Sequence, residues 1–126
     1  MYGIFVKGPF FPDFIIDGNK TIETRSRDML KRLVGQRVAV IETGVFKEGP
    51  RVVGYVTITG KWHCPAAEFD NYFYQHWVLN DDKFYTDSRG KWMYELADPE
   101  RLPYCGYKLP ADAIRHGRSW CEFTIN

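Results

Sequence analysis

The stretch Phe14-Ile15-Ile16-Asp17-Gly18-Asn19-Lys20-Thr21-Ile22-Glu23-Thr24-Arg25 decides how the chain is read. It predicts a short helix, a glycine stop, a turn carrying a lysine, and then a strand. Gly18 stands where a helix ends by taking the left-handed conformation, which costs glycine nothing because it has no Cβ. From Thr21 onward, the period-2 alternation of a strand puts Thr21, Glu23 and Arg25 on one face and Ile22 and Thr24 on the other. Lys20 precedes the strand and is expected to swing over either face, outside the core. An ammonium, a carboxylate and a guanidinium are thus delivered within six residues, a compact kit for holding a polar or anionic ligand or for moving protons.

Outward from this stretch, the pattern favours strands. Residues 2–6 read as a first strand, and residues 10–17 as a helix with Pro12 in its first turn. Residues 21–25 form the strand just described, and residues 28–33 a short helix stopped by Gly35. Residues 37–43 and 51–59, rich in valine, isoleucine and threonine, are the clearest strands, and the Lys47-Glu48-Gly49-Pro50 turn predicts that they form a hairpin. Residues 65–80 read as a helix whose Phe69, Tyr72, Phe73, His76 and Trp77 recur at one-face spacing, which predicts Phe69, Phe73 and Trp77 buried against the sheet. Residues 81–90 are polar and loop-like. Residues 92–97 and 120–125 are closing strands, joined by a proline- and glycine-containing excursion over 98–117. The expectation is an α+β fold with one curved or closed sheet of about five to seven mostly antiparallel strands and two to three short helices. No repeat, low-complexity tract or linker interrupts residues 1–126, which reads as a single domain.

Composition narrows the function classes. Hydrophobic residues make up 44% and charged residues 26%, which fits a globular core and excludes a disordered chain. The apolar runs are too short and interrupted to span a bilayer, and Met1 leads directly into a strand-like stretch with no charged leader, so a cytoplasmic protein without a membrane partner is expected. Cys64, Cys105 and Cys121 are odd in number and lack C-x-x-C spacing, which argues for a reducing compartment and against a zinc site built with His63, His76 or His116. The net charge of +1 argues against a long duplex-gripping surface. Lys20, Arg25, Arg27, Lys31, Arg32 and Arg37 nonetheless gather in one segment, either as a local basic patch or as a solvated face. Aromatic residues reach 17%, enough both to fill a small barrel and to wall a base-binding cleft. Trp62 beside His63 and Trp92 just past Gly90 are the aromatic side chains expected to meet a ligand.

Gly18-x-Lys20-x-x-Glu23-x-Arg25 resembles the G-x-K-x-x-E-x-R signature of the ASCH domain family. The order of the later segments is similar too: Gly35 to Val40, Val53 to Ile58, Lys91 to Leu96, Arg101-Leu102-Pro103, then Gly117 and Trp120. The resemblance implies a PUA-like fold, a small β-barrel related to RNA-binding and modified-base-binding domains. Some small bacterial members are amidohydrolases that remove the acetyl group of N4-acetylcytidine. By that resemblance Lys20 matches a catalytic lysine, and Glu23 falls where those enzymes carry a nucleophilic threonine. The sequence departs from them there, with Thr21 and Thr24 nearby and Glu68 and Asp70 as carboxylates farther along.

Two readings of function follow. In the first, the domain binds RNA or a modified nucleobase or nucleotide in a pocket formed by Lys20, Glu23 and Arg25 with Trp62 and Trp92 as walls. In the second, Lys20 and Glu23 are the catalytic residues of a small hydrolase of the amidohydrolase or ribonuclease type. Neither calls for a cofactor, a metal or an obligate protein partner.

Overall fold

The computed structural model describes residues 1–125. Its elements run β1 (Tyr2–Lys7), α1 (Phe10–Ile16), β2 (Ile22–Arg25), β3 (Arg37–Thr43), β4 (Arg51–Cys64), α2 (Phe73–His76), β5 (Lys91–Arg101), β6 (Tyr107–Lys108), β7 (Ile114–His116) and β8 (Trp120–Glu122). Single 3-10 segments occupy Lys31–Leu33, Ala66–Tyr72 and Pro103–Cys105. All eight strands belong to one sheet in the order β2-β5-β4-β3-β1-β8-β7, with β6 on the edge of β4. Pairing is antiparallel except between β1 and β3, which run parallel with Ile4 opposite Val40.

The α+β class, the single mixed sheet and the β3–β4 hairpin agree with the sequence reading. The closed barrel and the strand number do not. Among the described residues there are eight strands rather than about five to seven, and the sheet is open, since β2 pairs only with β5 and β7 only with β8. A barrel closes only when its first and last strands share a hydrogen-bond ladder. Here the two end strands contribute to one cleft, through Glu23 and Arg25 on β2 and Arg115 on β7.

The core explains why these segments are strands. Alternation along β3 sends Val38 and Val40 into one apolar cluster with Ile15, Ile16, Val56 and Tyr94, and Ala39 and Ile41 into a second with Phe5, Val52 and Phe123. A strand buried on both faces must read as a continuous apolar run, as residues 38–41 do. Helix α1 rests on the first cluster, close enough that a Cβ on Gly54 would lie 2.6 Å from Ile16 and 2.2 Å from the Glu100 carbonyl oxygen. Only glycine fits there.

Four further elements differ from the sequence reading. β4 runs on to Cys64 and β5 to Arg101, because register shifts between Tyr55 and Thr57 and between Ile58 and Gly60 let the ladder resume beyond each irregularity. Trp62 and His63 are therefore strand residues, not loop residues. The 65–80 helix is replaced by the 3-10 segment, four residues of α2, and then Trp77 in the left-handed region at φ 61. Three residues per turn cannot sustain an i, i+4, i+7 stripe. Of the three rings expected in the core, Phe69 is fully buried, while Phe73 and Trp77 are half-buried. The 28–33 helix shrinks to the 3-10 turn Lys31–Leu33.

Candidate functional site

The glycine-stopped turn delivers Lys20 as the sequence spacing requires, but not to the surface. Asp17 and Gly18 close α1 with backbone bonds to Asp13 and Ile15, and Gly18 takes φ +83. The Lys20 N–H then donates to the Phe14 carbonyl at 2.8 Å, and the Thr21 N–H to Gln75 at 2.9 Å. This folds the turn beneath α2. The Lys20 side chain is only 1% exposed, among the largest fully buried side chains of the molecule. The expectation of a lysine outside the core is thus corrected: the turn is pinned between α1 and α2, and the side chain enters the interior.

There the ammonium donates to the His76 carbonyl, stands 3.7 Å from Glu23 Oε1, and lies 4.9 Å from the centre of the Phe11 ring. Burial strips its hydration and pulls the pKa down from the usual lysine range to about 8, although Glu23 works in the opposite direction. Glu23 is also buried. It accepts from the Thr24 N–H at 3.0 Å and from Arg25 Nη2 at 3.0 Å. Burial pushes the Glu23 carboxyl up, yet Arg25, Lys20 and these hydrogen bonds together outweigh it and hold the group below the ordinary carboxylate range. Arg25 also donates to the Phe5 carbonyl at 2.7 Å, tying β2 to β1 by a side chain rather than a ladder.

His76 supports the lysine from behind. Its Nδ1 accepts from the Val78 N–H and its Nε2 faces the Phe69 carbonyl, both at 2.9 Å, so the ring carries its proton on Nε2. Desolvation first, and the nearby Lys20 charge, depress the His76 pKa and keep it neutral. Phe69 stacks on the imidazole at 3.9 Å. Tyr94 fixes the segment beyond β2, donating to Asp28 at 2.7 Å and accepting from the Leu30 N–H at 3.2 Å.

Lys20, Glu23 and Arg25 line a cleft of about 540 Å³. Its apolar walls are Phe5, Phe11, Phe84, Val6 and Val78, and its remaining charged groups are Lys7, Lys83, Arg115 and Arg118. None of those four cations forms an ion pair among the described residues. A chain of net charge +1 therefore opens a cleft in which six cationic side chains meet one carboxylate. Low-dielectric walls focus such a field on an anion.

The motif residues come together as the sequence indicated; the two tryptophans do not join them. Trp62 packs edge-on against Tyr72 at 4.8 Å, and Trp92 against His63 at 5.3 Å with the Lys61 ammonium above it. Neither lines the cleft, whose aromatic walls are Phe5, Phe11 and Phe84. Thr24, placed by alternation on the opposite face, also contributes to the lining. Glu68 and Asp70 are exposed and outside it, with Asp70 accepting from Tyr85. Of the basic segment only Lys20 and Arg25 reach the cleft; Arg37 pairs with Glu100 elsewhere. Lys7, Lys83 and the neighbouring pair Arg115 and Arg118 come from three distant parts of the sequence, and only the fold unites them. Among the described residues no group of three or more His, Cys, Asp or Glu side chains converges as a metal site, and no helix is long and apolar enough to cross a membrane.

No protein-family model and no curated protein matches the sequence. Solved structures do. A crystal structure of an ASCH protein from Zymomonas mobilis superposes with a TM-score of 0.64 at 17% identity, covering 79% of this chain and 69% of that one. Two single-residue variants of the same protein superpose comparably, one at 0.64 with 18% identity over 80% of this chain and 71% of that one, the other at 0.63 with 17% identity over 79% and 71%. The chain thus has the fold of these ASCH structures, an α+β architecture built on one sheet. At this identity the likeness speaks for the fold alone, and function has to be argued from the cleft.

Proposed function

We propose that the domain binds a nucleotide or a modified nucleobase within single-stranded RNA, seated in the cleft over Lys20, Glu23 and Arg25. The observation that carries this reading is the pairing of a cationic rim with an aromatic wall around a buried, charged floor. Bases stack on aromatic faces, phosphates need unpaired cations, and the Watson–Crick edge needs fixed donors and acceptors. Phe5, Phe11 and Phe84 supply the first, Lys7, Lys83, Arg115 and Arg118 the second, and Lys20 with Glu23 the third. The ion-paired floor is held rigidly by the Phe5, His76 and Thr24 backbone, so little order has to be gained on binding.

One observation favours a second reading, a hydrolase of the N4-acetylcytidine amidohydrolase or ribonuclease type. A lysine with its pKa near 8 is in part neutral at physiological pH, and so is a competent proton acceptor. Glu23 is poorly suited to that task, since its neighbours hold it ionised and weakly basic. In this reading Lys20 moves the proton and Glu23 keeps Lys20 in place.

Calorimetric titration with cytidine, N4-acetylcytidine, their 5′-monophosphates and short single-stranded RNAs, followed by chromatography of the incubated mixtures, tests both readings. Binding without product supports the first, and release of acetate or shorter RNA supports the second. If none of these compounds binds, both readings fail.

A further inference from the structure

A second cleft opens beside the first. It shares Lys7, Phe11, Lys83 and Phe84 with it, so the two are continuous along one surface. Its floor is aromatic. Phe10 lies nearly parallel to Phe14 at 6.5 Å, and Phe14 meets Trp77 at 5.6 Å. The indole of Trp77 is fixed by its Nε1–H donating to the Asn19 carbonyl at 2.8 Å. The outermost ring, Phe10, is 67% exposed, and Leu79 beside it is 58% exposed. This is a rigid row of rings with its end open to solvent.

At the junction of the two clefts stand Lys7 and Lys83. Both side chains line each cleft, and Lys7 depresses the Lys83 pKa while the Asp82 carboxylate works in the opposite direction. Neither forms an ion pair among the described residues. Two ammonium groups that share no ion pair, with the Asp82 carboxylate as the acidic neighbour of Lys83, match an anion that sits between them. The carboxylates of Asp81 and Asp82 lie in the second cleft only, and Asp82 already accepts from the Phe84 N–H at 2.7 Å. They repel an anion from the aromatic floor while leaving acceptors for the amino groups of a base.

We propose that the two clefts form one groove for a single strand of at least two nucleotides. One nucleotide lies over Lys20, Glu23 and Arg25, the connecting phosphate sits between Lys7 and Lys83, and the neighbouring base stacks on Phe10. The inference rests on the nucleotide-binding reading and adds to it a second subsite and a strand rather than a monomer as ligand. Charge places the phosphate at the junction and the uncharged base on the rings.

The test compares a nucleoside 5′-monophosphate with the corresponding dinucleotide by calorimetry on the intact chain, using the wild type, Phe10→Ala and Lys7→Ala/Lys83→Ala. One stacked base is worth roughly 5- to 150-fold in affinity, so the dinucleotide should bind tighter by that factor. Phe10→Ala should erase the gain while the monophosphate, which does not reach Phe10, binds both proteins alike. The double lysine variant should flatten the slope of log affinity against log salt by about 0.7 for the dinucleotide. Equal affinity for monophosphate and dinucleotide overturns the second subsite and leaves nucleotide binding intact. No binding of either compound overturns both. Should sedimentation show self-association that Phe10→Ala abolishes and the dinucleotide does not compete away, the rings pack against a second copy of the chain and the proposal falls.

Discussion

Replacing Lys20 with methionine tests the feature on which the site depends, a charged amine held in the interior. Methionine keeps the length and most of the volume of the side chain while removing the charge. In the folded protein the Lys20 pKa is about 8, against an ordinary lysine value of 10.5, and the first cause is desolvation. A lysine whose folded pKa is depressed makes the unfolded chain the better proton binder between the two values. Stability must then rise with pH through that window. Below about pH 8 the full penalty is present; above about 10.5 it is gone. The difference between the two values corresponds to about 3 kcal/mol, of which about 2 kcal/mol is recovered by pH 10.

The variant lacks this term. It also loses the hydrogen bond to the His76 carbonyl and the pairing with Glu23, but those losses do not vary across the window, because Glu23 and His76 both titrate below it. Cys64, Cys121 and Lys91 titrate in both proteins and cancel in the difference. Urea denaturation of wild type and Lys20→Met at pH 7, 8, 9 and 10 therefore isolates the lysine. The wild type should gain about 2 kcal/mol on the variant between pH 7 and 10. A difference that stays flat across these pH values would show that the ammonium is hydrated in solution, and the argument for a poised proton acceptor would collapse with it.

Glu23→Gln separates the two functional readings. A binder should lose only modest affinity, whereas a hydrolase should show its pH–rate limb moved to lower pH, because the glutamate charge that raises Lys20 is gone and its pKa falls below 8. An unmoved limb would exclude Lys20 as the titrating group. Phe69→Ala should cost about 3–5 kcal/mol in urea denaturation, since Phe69 is fully buried and backs the His76 ring. Phe73→Ala, at a half-buried side chain, should cost distinctly less. Gly54→Ala should destabilise by about 1–3 kcal/mol, because the added Cβ meets the Glu100 carbonyl at 2.2 Å and backbone cannot swing aside as a side chain would. A neutral Gly54→Ala would mean that α1 sits farther from β4 than described.

What the sequence discloses and what it conceals divide by the range of the interactions. Gly18 as a helix stop, the β3–β4 hairpin and the charged face of β2 are set by residues a few positions apart, and each was legible from local spacing. The burial of Lys20 was not. A lysine in a turn reads as exposed, and only the docking of α2, whose His76 carbonyl lies 56 residues away in sequence, turns that turn inward. The same limit hid the rim. Arg115 and Arg118 lie in a segment with no periodicity, and Lys7 and Lys83 are ordinary surface lysines until the fold unites them. Trp62 and Trp92 misled for the complementary reason. Composition identifies aromatic surplus but not its direction, and β4 extends past Thr59, carrying Trp62 against Tyr72 instead of toward the motif. The open edge between β2 and β7 follows from the same facts. Arg25 on β2 reaches the Phe5 carbonyl on β1, so these two strands are joined by a side chain rather than a ladder. The same open arrangement leaves Lys20, Glu23 and Arg25 lining a cleft instead of the interior of a closed barrel.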